Sequence, residues 1–192
     1  MVPTPASEVR QNIRPECEAA VNSHAALEFH ASFQCLAVAF YLNRDDVALR
    51  HFSRLFLLRS HEHSKTAESL MFLQKERGGR VSFLDLRKPQ SQEWGSGLQA
   101  MQDTLHLEKC VNQSLHNLIK LVIESCATDL HLSVGIGYLV EQVMGNAYLV
   151  EQVKFIKDLE DLVSKLSNAG SPEGALEEYF EKLTLGHGNK ED

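Results

Sequence analysis

A helical spacing of apolar residues runs through almost the whole chain, and this spacing limits the fold more than any other feature. In the N-terminal part, apolar side chains recur three or four residues apart from about Ala20, at Leu27, Ala31, Cys35, Val38 and Leu42. Such spacing places them on one face of an α-helix. Three further stretches have the same period, at 52–73, 98–122 and 149–166. The sequence therefore predicts four long amphipathic helices around a shared core.

The second and third predicted helices are separated by a segment too long for a simple turn. The Gly-Gly pair of "ERGGR" ends the second helix, and residues 78–92 contain "RKP" and a Ser/Gln-rich stretch before the third helix begins near Trp94. Loops of this length are uncommon in compact domains, and a crossover between parallel helices explains one. After "SNAG", Ser171 and Pro172 open a short fifth helix. We predict an all-α four-helix bundle with one long crossover and a short C-terminal fifth helix.

Composition places the chain among ordinary globular proteins. Its 192 residues, 43% apolar and 23% charged, suit a single domain over 1–192, with order expected from about 14 to 186. The formal net charge is −7, and the longest basic run is a dipeptide such as Arg87-Lys88, which argues against a nucleic-acid partner. The longest apolar runs, such as "LAVAFYL", are too short to span a membrane.

Two features indicate the compartment. The N-terminal "MVPTPASEVRQ" is polar and has no apolar segment of the kind that a signal peptide needs. The four cysteines are scattered without a Cys-x-x-Cys pair, which favours reduced thiols over a disulfide framework. We expect a cytoplasmic protein, and the nucleus stays open as an alternative.

Polar residues interrupt the apolar stripes at matching positions. Glu28, Glu108 and Gln152 fall in phase with apolar neighbours on three different helices, and His63 and Thr66 do so on the second helix. A core-facing carboxylate is costly unless it is paired or binds a metal. Metal sites in bundle cores are built from carboxylates on facing helices. The alternative is that each residue drifts to the bundle edge and is solvated, and the sequence leaves both readings open.

A series of segments along nearly the whole chain resembles one known family, and the segments occur in the same order as in that family. They read "VRQN", "LEFHASFQCLAVAFYLNRDDVAL", "RSHE", "ERGGR", "DLRKP", "WGSGLQAM", "LHLEKCVNQSL", "YLVEQV" and "SPEGALEEYFEKLTLG". Together they resemble a vertebrate ferritin heavy chain. The resemblance implies a 24-subunit hollow cage that stores ferric mineral, and it accounts for the crossover and the fifth helix. It also implies a di-iron ferroxidase centre, which oxidises Fe(II) with O₂.

The resemblance assigns metal ligands on three of the helices. Glu28 matches the first-helix ligand, and Glu108 matches the third-helix ligand in "LEK". The glutamine of "EQV" is matched by either Gln142 or Gln152, because "YLVEQV" occurs twice, ten residues apart. Ten residues leave the two copies about 80° out of phase on an ideal helix. We expect Gln152 to face the core, because its copy continues directly into "KFIKDLEDL"; Gln142 is the alternative.

The second helix departs from the family pattern. The family reads "HEEREHAE" where this chain reads "HEHSKTAE", so that His63 replaces the bridging glutamate and Thr66 replaces the histidine ligand. A neutral imidazole cannot bridge two irons, and a threonine hydroxyl is a poor iron ligand. Cys35 replaces a tyrosine near the centre. Glu62 lies about 100° away from the phase of the site. Glu28 and Glu108, with His63 as a weaker member, could still hold one divalent ion.

Three functions remain open on these grounds. We expect an iron-storage cage subunit with little or no ferroxidase activity of its own, which binds iron weakly or at its surface and could co-assemble with ferritin heavy or light chains. One alternative is an altered ferroxidase in which His63 and Cys35 rebuild the centre. The other is an interaction protein that no longer stores iron. Relative to the family pattern, the repeated segment at 138–153 looks like a ten-residue insertion, and in this alternative it blocks cage closure. The segment between Asp129 and Glu141 also lacks the acidic residues that line the three-fold channels of the family.

Overall fold

The computed structural model describes residues 14–76, 78–89, 91–126 and 146–168. These residues form four helices, α1 (Pro15–Leu42), α2 (Arg50–Glu76), α3 (Gly97–Cys126) and α4 (Asn146–Asn168). The described residues contain no strand, so the predicted all-α class is confirmed. The predicted fifth helix, both chain ends and the first "YLVEQV" copy lie outside the described residues.

Helix α1 begins five residues before the predicted apolar stripe. Pro15 occupies its first turn, where a missing N–H costs nothing, and Glu16 and Glu18 in the same turn favour the positive end of the helix dipole. Among the described helices, α1 is the one long and apolar enough to cross a membrane, but 56% of its apolar window is buried in the protein. That burial is common for the central helix of a bundle.

Two apolar clusters fill the two ends of the bundle. One joins the end of α1, the starts of α2 and α3 and the end of α4, with Phe52, Phe56, Met101 and Leu159 among its members. The other joins the start of α1, the end of α2 and the later part of α3. Helices α2 and α3 therefore start at the same end and run parallel, and the connection between them must travel the length of the bundle, as predicted. A layer of buried polar side chains lies between the two clusters.

The crossover is irregular and is fixed by contacts to α1. Residues 78–89 and 91–96 hold neither helix nor strand. Gly78 has φ 68°, a left-handed conformation that glycine adopts without strain and that ends α2. Helix α3 starts at Gly97 instead of near Trp94, because Trp94 is buried and tied outside the helix: its carbonyl accepts a hydrogen bond from the Tyr41 hydroxyl at 2.6 Å.

Candidate metal centre

Each of the four helices contributes to one buried polar cluster at the middle of the bundle. We call it the central cluster; its members, at most 3% exposed, are Glu28, Arg59, His63, Glu108 and Gln152. The apolar period of each helix places them there. On α2, the buried stripe reads Phe56, Arg59, His63, Ala67, at the three- and four-residue spacing of one helix face. The side chains that interrupt the stripes therefore point at one another.

His63 bridges the two carboxylates of the cluster. Its Nδ1 lies 2.6 Å from Glu28 Oε2, and its Nε2 lies 2.9 Å from Glu108 Oε1. A neutral imidazole has one N–H, and an ionised carboxylate can only accept, so that both contacts together require the protonated ring. Burial lowers the pKa of His63, but hydrogen bonds with Cys35, Glu108 and Glu28 outweigh it and raise the pKa well above its ordinary 6.5.

Arg59 supplies the second positive charge. Its Nε and Nη2 donate to the two oxygens of Glu108, each at 2.9 Å, in a bidentate pair. Its Nη2 also donates to Gln152 Oε1, and its Nη1 donates to Glu62 Oε2 at 3.0 Å. The guanidinium carbon lies 4.5 Å from the centroid of the Phe155 ring, within cation–π range. The guanidinium is thus held by partners on α2, α3 and α4.

The two buried carboxylates remain ionised because these cations surround them. Burial by itself raises the pKa of Glu28, but hydrogen bonds and charge from His24 and His63 reverse the shift and lower the pKa to about 2. Burial likewise raises the pKa of Glu108, and Arg59 and His63 bring it down to about 2. Both carboxylates, the imidazolium and the guanidinium are charged, so the net charge of the central cluster is zero. Buried charges need such neutralisation, because an unpaired charge away from water costs much free energy.

The structure brings together four of the residues predicted as ligands: Glu28, Glu108, Gln152 and His63. Gln152, from the second copy of the repeat, faces the core as expected and donates to Glu108 Oε2 at 2.8 Å. Gln142 lies outside the described residues. The role of these side chains as metal ligands stays a prediction.

Glu62 and Thr66 lie off the centre. The Glu62 side chain is 45% exposed at the rim of the cluster, where it pairs with Arg59. The Thr66 hydroxyl donates to the Glu62 carbonyl within its own helix, at 3.0 Å. No hydrogen bond or ion pair among the described residues joins either of these side chains to Glu28 or Glu108.

Arg59 is the member of the cluster that sequence reasoning missed. It stands three residues after Phe56 and four before His63, so that the stripe itself carried the signal. Arginine is almost never fully buried unless it is paired, so a position on the apolar stripe does not by itself predict that it is buried. Its position turns a set of candidate ligands into a closed network of ion pairs.

The donor set does not fit a pair of metal ions. Glu108 Oε1 already accepts from Arg59 and His63, and Glu108 Oε2 accepts from Arg59 and Gln152. The atoms of Cys35, His63 and Glu108 do lie within 4.8 Å of one another, as one metal ion would require. Binding there would need both Cys35 and His63 to lose protons, yet the pKa of Cys35 is raised, chiefly by burial, and that of His63 is raised as well.

A comparison with protein-family models agrees with the architecture. The model described as a ferritin-like domain matches residues 18–169, which is most of the chain and includes all four described helices except the first three residues of α1. The long crossover between two parallel helices and the polar layer contributed by four helices are consistent with that match. The chain therefore belongs to the ferritin family.

Proposed function

We propose that the chain is an iron-storage subunit that contributes shell and mineral surface and oxidises little or no Fe(II) by itself. One observation carries this proposal: the positive charge of His63 lies between the two carboxylates that would otherwise hold iron, and that of Arg59 is paired with one of them, Glu108. Iron, as the substrate and the cargo, would have to enter a space whose anions are already neutralised.

The electrostatic cost of that entry is large. A divalent ion between Glu28 and Glu108 would stand next to a guanidinium and an imidazolium, and each pair of unit charges about 4 Å apart repels by about 4 kcal/mol at the effective dielectric constant of a protein site. The ion would also displace the bidentate contact of Arg59 to Glu108. Two iron ions side by side would meet this repulsion twice.

Exposed apolar side chains support a role in an assembly. Phe33 and Phe40 lie seven residues apart on α1 and are exposed, and the crossover exposes Phe83, Leu84 and Leu86. Exposed apolar surface of this kind marks contact sites. Members of the ferritin family commonly form oligomeric cages. We include in the proposal a 24-subunit cage, formed by this chain alone or with heavy or light chains.

The state of the cysteines is consistent with the proposed compartment. Cys17, Cys35 and Cys110 form no disulfide in the part of the chain that the structure describes. Reduced thiols suit the cytoplasm, which we propose as the location, with the nucleus as the alternative.

The proposal predicts that substitutions can raise the rate of Fe(II) oxidation above that of a protein-free blank, but that none can lower it. Purified protein in air should oxidise Fe(II) at the rate of a protein-free blank, and Glu28→Ala should change nothing. The variant Arg59→Gln/His63→Glu/Thr66→His removes both blocking cations and restores the family ligands; it should exceed the blank clearly. The measurement is ferric absorbance against time. A matched control, Arg54→Gln/His61→Glu/Lys65→His, makes similar changes at exposed positions of α2 and should stay at the blank rate.

Two outcomes point to the alternatives. A wild-type rate above the blank that falls with Glu28→Ala would favour an altered ferroxidase, with Cys35, His63 and Glu108 as its ligands. A native mass far below that of a cage, in protein purified alone or with a heavy chain, would favour an interaction protein that has left iron storage.

A further inference from the structure

Three buried side chains at the middle of the bundle carry atoms that lie close enough to bind one metal ion together. Cys35 from α1, His63 from α2 and Glu108 from α3 each offer one ligand atom, and these three atoms lie within 4.8 Å of one another. Zinc holds sulfur at about 2.3 Å and nitrogen or oxygen at about 2.0–2.2 Å, so a tetrahedral ion separates its donor atoms by about 3.3–3.7 Å. Modest side-chain shifts would therefore close this group around one ion.

His63 already has the kind of partner that supports a metal-binding histidine. Its Nδ1 lies 2.6 Å from Glu28 Oε2, and because an ionised carboxylate can only accept, Nδ1 is the nitrogen that keeps its proton. Release of the other proton leaves a lone pair on Nε2, which lies 2.9 Å from Glu108 Oε1. Histidine ligands almost always donate their other N–H in this way, often to a carboxylate. Glu28 would thus orient the imidazole without binding the ion itself.

The ion would take the position of a proton and not that of Arg59. Glu108 Oε1 accepts hydrogen bonds from Arg59 Nε and His63 Nε2. A carboxylate oxygen has two lone pairs, so loss of the His63 proton frees one of them for a metal ion while Arg59 keeps the other. Arg59 Nη2 also keeps its contact to Glu108 Oε2. A single ion beside Cys35 therefore leaves the bidentate pair intact, whereas an ion between Glu28 and Glu108 would displace it.

Charge balance favours one divalent ion over two. The central cluster has no net charge while His63 and Arg59 are protonated, and Cys35 adds a neutral thiol. Binding expels one proton from His63 and one from Cys35, and the ion brings two positive charges in exchange, so the net charge stays zero. A second ion would add two uncompensated charges, because the remaining cation, Arg59, is not deprotonated in proteins. The ion must bind strongly, since burial raises the pKa of the Cys35 thiol.

The donor types select the metal. A thiolate, an imidazole and a carboxylate suit Zn²⁺, whereas Mg²⁺ and Ca²⁺ prefer oxygen ligands, and Fe²⁺ binds such donors more weakly than Zn²⁺. Cu⁺ also accepts thiolates, but it would bring one charge in exchange for two protons. We propose that Cys35, His63 and Glu108 bind a single Zn²⁺ ion, with Glu28 as the positioning residue behind His63 and water in the fourth position. Zn²⁺ has no redox chemistry, so this inference goes beyond the proposed storage function and does not depend on it.

Cobalt substitution tests the site in the full-length protein. Cys17→Ser/Cys110→Ser/Cys126→Ser leaves Cys35 as the sole cysteine, and this triple variant is the reference protein. Titration of its metal-free form with Co²⁺ should give a thiolate-to-cobalt charge-transfer band and tetrahedral ligand-field bands that saturate at one equivalent and disappear when Zn²⁺ is added. The further change Cys35→Ser should abolish the charge-transfer band. Circular dichroism checks that each variant is folded.

X-ray absorption gives a second readout that needs no change at Cys35. The zinc-loaded reference protein should show one sulfur neighbour at about 2.3 Å, with nitrogen and oxygen neighbours at about 2.0–2.2 Å. The wild type with one equivalent of zinc should show the same neighbours.

Variants of the histidine and the carboxylate behind it separate a ligand from a positioning residue. His63→Gln should prevent tetrahedral Co²⁺ binding, and His61→Gln, at an exposed position of the same helix, should not. Glu28→Gln should weaken Co²⁺ binding by roughly 10- to 100-fold and leave the charge-transfer band at saturation unchanged. Glu68→Gln, at an exposed position of α2, is its matched control and should keep the affinity of the reference protein.

Several results would overturn the proposal. They are the absence of a charge-transfer band in the reference protein, a band that survives Cys35→Ser, zinc without a sulfur neighbour, and Fe²⁺ that displaces Co²⁺ as effectively as Zn²⁺ does without air. An unchanged affinity in Glu28→Gln would overturn the positioning role of that residue. None of these readouts measures iron oxidation or cage assembly, so the zinc site and the storage function can fail independently.

Discussion

The central cluster and the groove between α1, α3 and crossover residues 84–87, which we call the α1–α3 groove, share two helices and differ in how their polar groups are satisfied. In the central cluster, Glu108 accepts four hydrogen bonds from its neighbours, and His63 uses both nitrogens. In the groove, His106 and Cys110 are exposed and Gln34 Oε1 has no partner in the described structure. A buried site must contain its own counter-charges, whereas a site open to solvent can leave its donors to water or to an ion.

The comparison also shows what two buried carboxylates need when no metal ion neutralises them. Alone, they would repel each other and lose their solvation. His63 lies between them and supplies one positive charge, and Arg59 supplies another beside Glu108. The cluster closes as a neutral network, so the groups that would oppose a metal ion are the same groups that stabilise the buried carboxylates.

The largest effect is expected from removing Arg59. Arg59→Met leaves Glu108 buried with half of its donors missing, and breaking a buried ion pair in this way typically costs about 3–5 kcal/mol. The measurement is the free energy of unfolding in guanidinium, followed by circular dichroism. Lys109→Met is the matched control, since the Lys109–Glu160 pair at 2.8 Å is 49% and 54% exposed; it should cost about 0–1 kcal/mol. Equal losses in both variants would show that burial does not set the cost of breaking an ion pair in this protein.

His63→Gln should cost less and should reveal its charge through pH. The folded-state pKa of His63 is raised well above 6.5, so its stabilisation is fully present below about pH 6.5 and is lost as pH rises through the folded value. Glutamine is neutral and places a carbonyl oxygen, which can only accept, beside carboxylates that also only accept. We expect a loss of about 1–3 kcal/mol at pH 6 that shrinks in alkaline buffer. Unfolding free energies across pH for both proteins measure it. His61→Gln, at an exposed position, should show no such dependence.

Below about pH 4.5, the stability depends on pH with the opposite sign, because the two buried carboxylates titrate there. Glu28 and Glu108 have folded-state pKa values of about 2 against an ordinary 4.5, so their stabilisation is present above about pH 4.5 and is lost as pH falls towards 2. A difference between wild type and His63→Gln that grew with rising pH would mean that His63 is neutral in the folded protein.

The sequence predicted the regular parts of this structure and part of its core chemistry. The apolar period placed Glu28, Glu108 and Gln152 on core-facing stripes, and they meet as expected. Arg59 lies on the same apolar period, but its burial could not be predicted, because arginine usually faces solvent. The spacing of His106 and Cys110, four residues apart and so one helical turn, is also visible in the sequence.

The path of the crossover could not be predicted from the period of the apolar residues. It is held by single long-range contacts, such as the Asn22 side chain on the Arg80 carbonyl at 3.0 Å and His30 on the Arg87 carbonyl. An irregular segment has no repeat that would indicate such partners. The groove, which needs this segment as a wall, could therefore not be predicted from the sequence, even though two of its lining residues, His106 and Cys110, stand one turn apart.

The smallest effect is expected in the groove. Cys110→Ser changes an exposed side chain and should alter the unfolding free energy by less than about 0.5 kcal/mol. The measurement is the same guanidinium titration that is used for Arg59→Met. A loss as large as that of Arg59→Met would mean that the open groove depends on fixed polar contacts as much as the central cluster does, and the contrast between the two regions would fail.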